Sequence, residues 1–585
     1  MKQLFAVVLA LALSSPGSAQ IPAIKDTIIL VVPESDTVTT TTSTYRLSAS
    51  TNPLNKVTVN GKPYNVYPSG AFCGKLDVNI GENIFAINSI SQTGSVRSKT
   101  FVIKRPKPIE TTRADTLAIE DMMMQPYEDL WLNEGDMLQV QIKGTPGCIA
   151  TFMNDQPMKE RPSTQTRLGG IYRGTYKVKA TDTLLSQPIT FRLTDSTGRS
   201  VERSTYAKVS FKSHQLPMVG VIKGERPFLN TGLGQDRLGG HKFSIINPGI
   251  RVTVTGKVGD MYRVALTDNQ EVWIDEDFIE LQPTGTFFPS SLTGSIFVEP
   301  EGNLDVVTLS MFDKLPYSTY QELEPSRIVV DVYGATSNTN WITQQLTTKE
   351  IKDVYYQQVE KGVFRITIEL RHKQIWGYEI VYEGTNLKIK VKRQPEKLKL
   401  SALTFALDAG HGGDNRGAVG STGSLEKNVN AAITAYLKQL LEEEGARVIL
   451  TRPNDANPRM VDRYLTAYRG GADVLLSVHS NSIGLTGDPA ETKGAGTFYK
   501  HIAYRRLTQF VLDEILKTGL DTLGNVGSFN FSLNAPTEFP NMLIETAFMS
   551  NPEDEMKLLD DGFRKELAER IVDGIEEFLD YCDEE

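Results

Sequence analysis

The chain has 585 residues, and single apolar cores seldom grow beyond roughly 250 to 300 residues, so several domains are expected. A net charge of -9 argues against nonspecific nucleic-acid binding, which needs a basic footprint. Three cysteines, Cys73, Cys148 and Cys582, lie far apart and are odd in number; they indicate neither a disulfide framework nor a cysteine metal cage, and leave room for one bridge at most.

Met1 to Leu13 carries one positive side chain and a short apolar run, and Ser14 to Ala19 follows with small residues at Gly17 and Ala19. That is the pattern of a secretory signal over 1–19, and the run is too short to span a bilayer comfortably. No cysteine follows for a lipid anchor, and no other long apolar segment occurs. The mature chain is therefore expected without a membrane span, in an extracytoplasmic space, periplasm or cell envelope.

Residues 20–106 are strand-like, with Thr27 to Val32, a Thr-rich run from Thr37 to Thr44, and Asn60-Gly61 between β-formers as a hairpin signal. Turn residues every ten or so positions suggest an immunoglobulin-like β-sandwich. Residues 107–212 repeat the style, with Met137 to Ile142 and Gly170 to Lys179 alternating in and out, and suggest a second sandwich. Residues 213–283 are richer in Gly and short strands, including Gly249 to Val264 and Glu271 to Ile274, and resemble a bacterial SH3-type barrel. Residues 284–395 are again mostly β, with Arg327 to Ala335, Phe364 to Leu370 and Leu387 to Val391.

Gln394 to Leu400 reads as a charged linker, after which strands and helices alternate. The expected fold is therefore multidomain, with several all-β domains followed by a C-terminal α/β domain over 398–583 whose mostly parallel sheet is flanked by helices. The helix after Glu426 has an apolar stripe at Val429, Ile433, Tyr436, Leu437, Leu440 and Leu441 and a capping glycine at Gly445. Asn457-Pro458 is expected to open the next helix, with Asn as N-cap and Pro in the first turn.

Three strands end in chemistry. Leu403 to Leu407 runs into a Gly-rich turn bearing His411, Asp473 to Val478 delivers His479, and Asn541 to Ile544 delivers Glu545. In a parallel sheet, neighbouring strands share one crevice at their carboxyl ends, with Glu426 at its rim. Two imidazoles and a carboxylate suit Zn2+, which accepts N and O ligands and keeps a position for water; a separate carboxylate must then move the proton, and Glu545 fits. Each residue alone has an ordinary explanation: a loop hydrogen bond for either histidine, a helix N-terminal acid for Glu426, a paired strand-end acid for Glu545. His214, His241, His372 and His501 lack such strand ends and read as surface or loop residues. On these residues alone the reading stops at a zinc hydrolase.

The ordered blocks Asp408 to Gly413, Leu425 to Asn430, Val448 to Arg452, Ser477 to Asn481 and Ile544 to Asn551 resemble the zinc-dependent N-acetylmuramoyl-L-alanine amidases of the Amidase_3 family. The resemblance covers the chain from about Leu398 onward. It implies that His411, Glu426 and His479 hold zinc, that Glu545 is the catalytic acid/base, and that the substrate is peptidoglycan, cut between N-acetylmuramic acid and the L-alanine of the stem peptide. Residues 284–395 resemble the AMIN-type β domains that accompany such amidases. One departure is Tyr468, where many members carry Asn after the residues matched by Arg463 and Ala467. Ile483 to Gly494 is too short and broken for the blocking helix of some members, so a fragment starting at Leu398 is expected to act without an activator. Two other outcomes stay open: a cell-wall binding protein with an inactive hydrolase domain, and a zinc peptidase cutting within the stem peptide.

Overall fold

The computed structural model describes residues 27–234 and 237–584; the signal segment expected at 1–19 lies outside the described residues. Among them, no helix is long and apolar enough to cross a membrane.

The first unit packs a sheet of Ile29–Val32, Thr44–Ser50 and Ala71–Asp77 against a five-stranded one. Leu47, Phe72, Ile87, Phe101 and Ile103 fill the space between. Asn60 and Gly61, at φ 47° and 82°, turn Lys56–Val59 back onto Lys62–Tyr64 with Val59 opposite Lys62, the left-handed pair a two-residue hairpin requires. The second unit has its own core around Leu138, Phe152, Ile189 and Phe191. Its hydrogen bonding does not stop near residue 212, however. Leu130–Leu132 pairs with Ser200–Phe211 on one side and with Arg251–Val258 of the next unit on the other, so one ladder runs through both.

Nor does the next apolar core stop at 283. Val252, Val264 and Ile274 belong to the same buried cluster as Val307, Ile328, Ile366 and Ile389, and Tyr499, Ala503 and Tyr504 of the C-terminal unit join it. Gln394 to Leu400 is no free spacer either. Leu398 and Leu400 are buried, and with Trp376 they enter the C-terminal core, because alternate residues of the charged stretch are leucines that have an apolar surface beside them. All three cysteines are free thiols, so Cys73 and Cys148 do not pair.

The C-terminal unit is built on a six-stranded sheet in the order Arg447–Leu450, Thr404–Ala409, Val474–Asn481, Asn541–Phe548, Ala495–Phe498, Thr522–Val526. The first four strands run parallel, and the last two run antiparallel to them and parallel to each other. Strand side chains alternate between faces. Phe405, Leu407, Leu476 and Val478 meet the helices Glu426–Glu443, Arg505–Leu516 and Asp561–Asp583, while Ala406 and Leu475 meet Tyr464 and Ala467 of the helix Met460–Arg469. Val429, Ile433, Leu437 and Leu441 are buried along the first helix, and Gly445 follows its end at φ 83°.

The helix expected to open at Asn457-Pro458 instead begins at Met460, with Arg459 at the cap and no side-chain cap bond. Asn457 is otherwise engaged: its Oδ1 accepts from Arg463 Nη2 at 3.1 Å, and the Pro458 carbonyl accepts from Arg463 Nε at 3.1 Å. A buried guanidinium has outbid the helix terminus for those acceptors. Tyr468 hydrogen-bonds Glu379 at 2.8 Å and stacks on Tyr464, so the departure from Asn serves contact with the fourth β unit.

Candidate metal centre

His411 follows the Thr404–Ala409 strand, His479 lies near the end of Val474–Asn481, and Glu545 sits directly opposite His479 in the parallel pairing with Asn541–Phe548. Glu426 is the first residue of its helix, which aims a carboxylate from that terminus into the crevice. The ligand atoms of His411, Glu426 and His479 all lie within 4.8 Å of one another, the one such group among the described residues. Glu426 Oε1 is 3.0 Å from His411 Nε2 and 3.2 Å from His479 Nδ1.

Glycines make this convergence possible. A Cβ on Gly410 would stand 2.3 Å from His479 Cε1, and one on Gly417 would stand 2.4 Å from Glu426 Oε2. His411 itself has φ 65°, a left-handed backbone that a non-glycine residue holds only under constraint. The constraint is Arg463, fully buried, whose Nη2 donates to the His411 carbonyl at 2.7 Å and whose Nη1 reaches the Ala409 carbonyl at 3.0 Å and Asp408 Oδ1 at 2.8 Å. Ser477 donates to the other Asp408 oxygen at 2.8 Å. Burial pushes the Asp408 carboxyl up, but the Arg463 charge and hydrogen bonds from Thr451 and Arg463 outweigh it and hold it below the usual carboxylate range.

A further layer orients the donors. Asn415 Oδ1 lies 2.9 Å from His411 Nδ1, which turns Nε2 toward Glu426. Glu426 Oε2 accepts from the Ala418 amide at 2.6 Å, while Oε1 also accepts from Ser480 N at 3.1 Å and Asn430 Nδ2 at 3.2 Å. Burial alone would raise the Glu426 carboxyl, yet the bonds from His411 and His479 hold it well below the glutamate range. Such outer partners fix ring orientation in metal sites. Phe531 stands edge-on to the His479 ring at 5.8 Å and walls the crevice.

His479 Nε2 and Glu545 Oε2 are among the buried polar atoms that lack a hydrogen-bond partner. A buried polar atom without a partner is costly, and both belong to the crevice. Burial first, then the nearby Glu426 carboxylate, push the Glu545 carboxyl well above the ordinary glutamate range. The donor set, two imidazoles and one anionic carboxylate with ordered outer partners, fits a divalent ion with N/O preference.

The other four histidines stay outside this group. His372 Nδ1 meets Glu350 at 2.8 Å and His241 Nε2 lies 3.5 Å from Lys500. His501 is in a loop but its ring is enclosed, with Nε2 2.8 Å from the Ala535 carbonyl, and burial pushes it down to about 4. In the sequence, Asp408 and Arg463 stand out only as parts of motifs. The phase of strand and helix would have put them face to face, whereas Asn415, Asn430 and Phe531 gave no local signal.

Residues 482–494 contain no helix, yet the segment is not left alone. Arg46 of the first β unit, 6 % exposed, donates its amide to Leu485 O at 2.7 Å and its Nη1 to Ser482 Oγ at 3.1 Å and Ile483 O at 2.6 Å. A contact from the N-terminal sandwich therefore grips the turn immediately beyond the His479 strand.

A crevice with this donor set at parallel strand ends is of the kind metal-dependent hydrolases use. Residues 406–577 match the Amidase_3 family model, described as N-acetylmuramoyl-L-alanine amidase. It is 32% identical over 197 residues to a probable cell wall amidase LytH of Staphylococcus epidermidis, covering 33% of this chain and 65% of the relative. A probable cell wall amidase LytH of Staphylococcus aureus is 33% identical over 195 residues, covering 33% and 63%. This chain thus spans a little under two thirds of the length of those relatives. Among solved structures, the catalytic domain of CwlV, an N-acetylmuramoyl-L-alanine amidase from Bacillus (Paenibacillus) polymyxa var. colistinus, is 31% identical with a TM-score of 0.29, covering 30% of this chain and 98% of that one. AmiC2 of Nostoc punctiforme is 29% identical with a TM-score of 0.29, covering 30% and 97%.

Proposed function

We propose that this chain is a peptidoglycan hydrolase that cleaves the amide between N-acetylmuramic acid and the L-alanine of the stem peptide with the help of Zn2+. The observation that supports it most is the convergence of His411, Glu426 and His479 beside Glu545 within a segment matching the amidase family. His411, Glu426 and His479 would hold the ion. When bound there, zinc supplies a water of lowered pKa and polarises the substrate carbonyl.

The chain's own groups do the rest. Glu545, whose Oε2 has no protein partner, takes the proton of the attacking water and hands it to the leaving nitrogen, a role for which a raised carboxyl pKa is suited. Asn415, Asn430 and the Ser480 amide keep the donors aimed, and Phe531 screens one side of the crevice from solvent. The β units over 20–106, 107–212, 213–283 and 284–395, in this reading immunoglobulin-like, a second sandwich, SH3-like and AMIN-like, place the hydrolase at the wall. The chain works outside the cytoplasm, delivered by the signal segment at 1–19, in periplasm or cell envelope.

Digestion of purified peptidoglycan followed by mass spectrometry tests the reading. Free stem peptides with intact L-alanine amino termini are expected, whereas shortened peptides would identify a peptidase and no products an inactive domain. Glu545→Gln should lower kcat by about 10²- to 10⁴-fold while bound zinc, measured by elemental analysis, stays at the wild-type level. Chelation should abolish turnover and added zinc restore it.

A further inference from the structure

The third, fourth and C-terminal units meet around a cavity of about 50 Å³, whose lining includes Arg226, Lys242, Tyr317, Lys500, His501 and Glu538. A water needs roughly 10 to 15 Å³ of such space, so there is room for a few waters or one small ion and none for a sugar or a nucleotide. Junctions between units are places where ligand sites form. The charges around this one do not balance. Among the described residues Glu538 is the one carboxylate of the lining, and both its oxygens are engaged. Oε1 meets Arg226 Nη1 at 2.7 Å, and Oε2 accepts the Thr537 amide at 3.0 Å.

Lys500 is left over. The residue is half-buried, its Nζ lies 3.5 Å from His241 Nε2, and no carboxylate among the described residues pairs with it. An ammonium has three donors, and a charge taken from water without a partner is costly. Its neighbours bring no negative charge. Burial first, then Lys500 and Lys242, hold His241 below the usual histidine range, and His501 is kept neutral by burial, with Nε2 on the Ala535 carbonyl. Lys242 brings a second positive charge, close enough to depress Lys500 further, while its Nζ donates to the carbonyls of Asn530 at 2.8 Å and Leu238 at 3.3 Å.

We propose that the junction cavity binds a small anion, of halide or single-carboxylate size, held by Lys500 with Lys242 beside it, and that this anion is the counter-charge where the three units meet. An ammonium offers charge rather than a planar fork, so the site selects by sign and size. Bromide is the probe, because anomalous diffraction reads its position directly. A crystal of the full-length protein soaked in sodium bromide should show a peak in contact with Lys500 Nζ, and a crystal of Lys500→Met should lack it. In solution, bromide or acetate should raise the melting temperature of the wild type saturably, by about 2 °C over the same ionic strength of a bulky sulfonate, and leave that of Lys500→Met where it was. A peak that survives Lys500→Met, bromide found only at the metal centre or on the outer surface, or a salt effect equal in both proteins would overturn the proposal.

Discussion

Removing the Arg463 guanidinium would leave the Asp408 carboxylate, 1 % exposed, sealed without its counter-charge, and would free the left-handed His411 backbone. Breaking a buried pair from one side costs about 3 to 5 kcal/mol, so Arg463→Leu should lower unfolding free energy by that order in a urea titration. Lys500 makes the opposite case. Burial first and the neighbouring Lys242 second push it down to about 8 from 10.5. Between those values the unfolded chain binds the extra proton, so this group's contribution to stability rises with pH from about 8 to 10.5. Lys500→Met should therefore raise the melting temperature below pH 8, and the gain should fade toward pH 10.5; a gain independent of pH would show that packing, not charge, is responsible.

At the scale of elements, what matters is how closely strand, turn and helix approach. Gly410→Ala would push a methyl group into the His479 ring and should weaken zinc binding about 10- to 100-fold, the loss typical of disturbed ligand orientation, as measured by competition with a chelator. The convergence of His411, Glu426 and His479, with Glu545 opposite His479, was legible because each sits where an apolar strand or a helix starts or stops, a signal carried within a few neighbours. The Met460–Arg469 helix starts later than the sequence pattern predicts because Asn457 and Pro458 answer to Arg463 rather than to the helix. Asn530 and Arg46 were illegible for a related reason. Their partners lie some hundreds of positions away, and no periodicity in one stretch announces a partner in another.

For the whole molecule, the units share more than a chain. Trp376 from the fourth β unit packs on Phe578, and Tyr504 is fully buried in the β core. A fragment starting at Leu398, expected from sequence to act alone, would bare both surfaces. It should melt below the full-length protein and bind a hydrophobic dye, and its turnover should fall with its folded fraction; a fragment as stable as the parent would show these contacts to be dispensable. Deleting residues 27–106 removes the Arg46 grip, and amide exchange in 482–486 should quicken while the sheet strands keep their protection.

The tyrosines lodged in the β core also bear on how the polypeptide comes to be folded. Synthesis proceeds from the amino end, so the third and fourth units emerge with an unfilled socket that is plugged only when the stretch carrying Tyr499 and Tyr504 arrives. Multi-unit chains often mature one unit at a time, but here the β layer must wait for its successor, and a nascent chain halted before that stretch would expose greasy surface to chaperones and proteases.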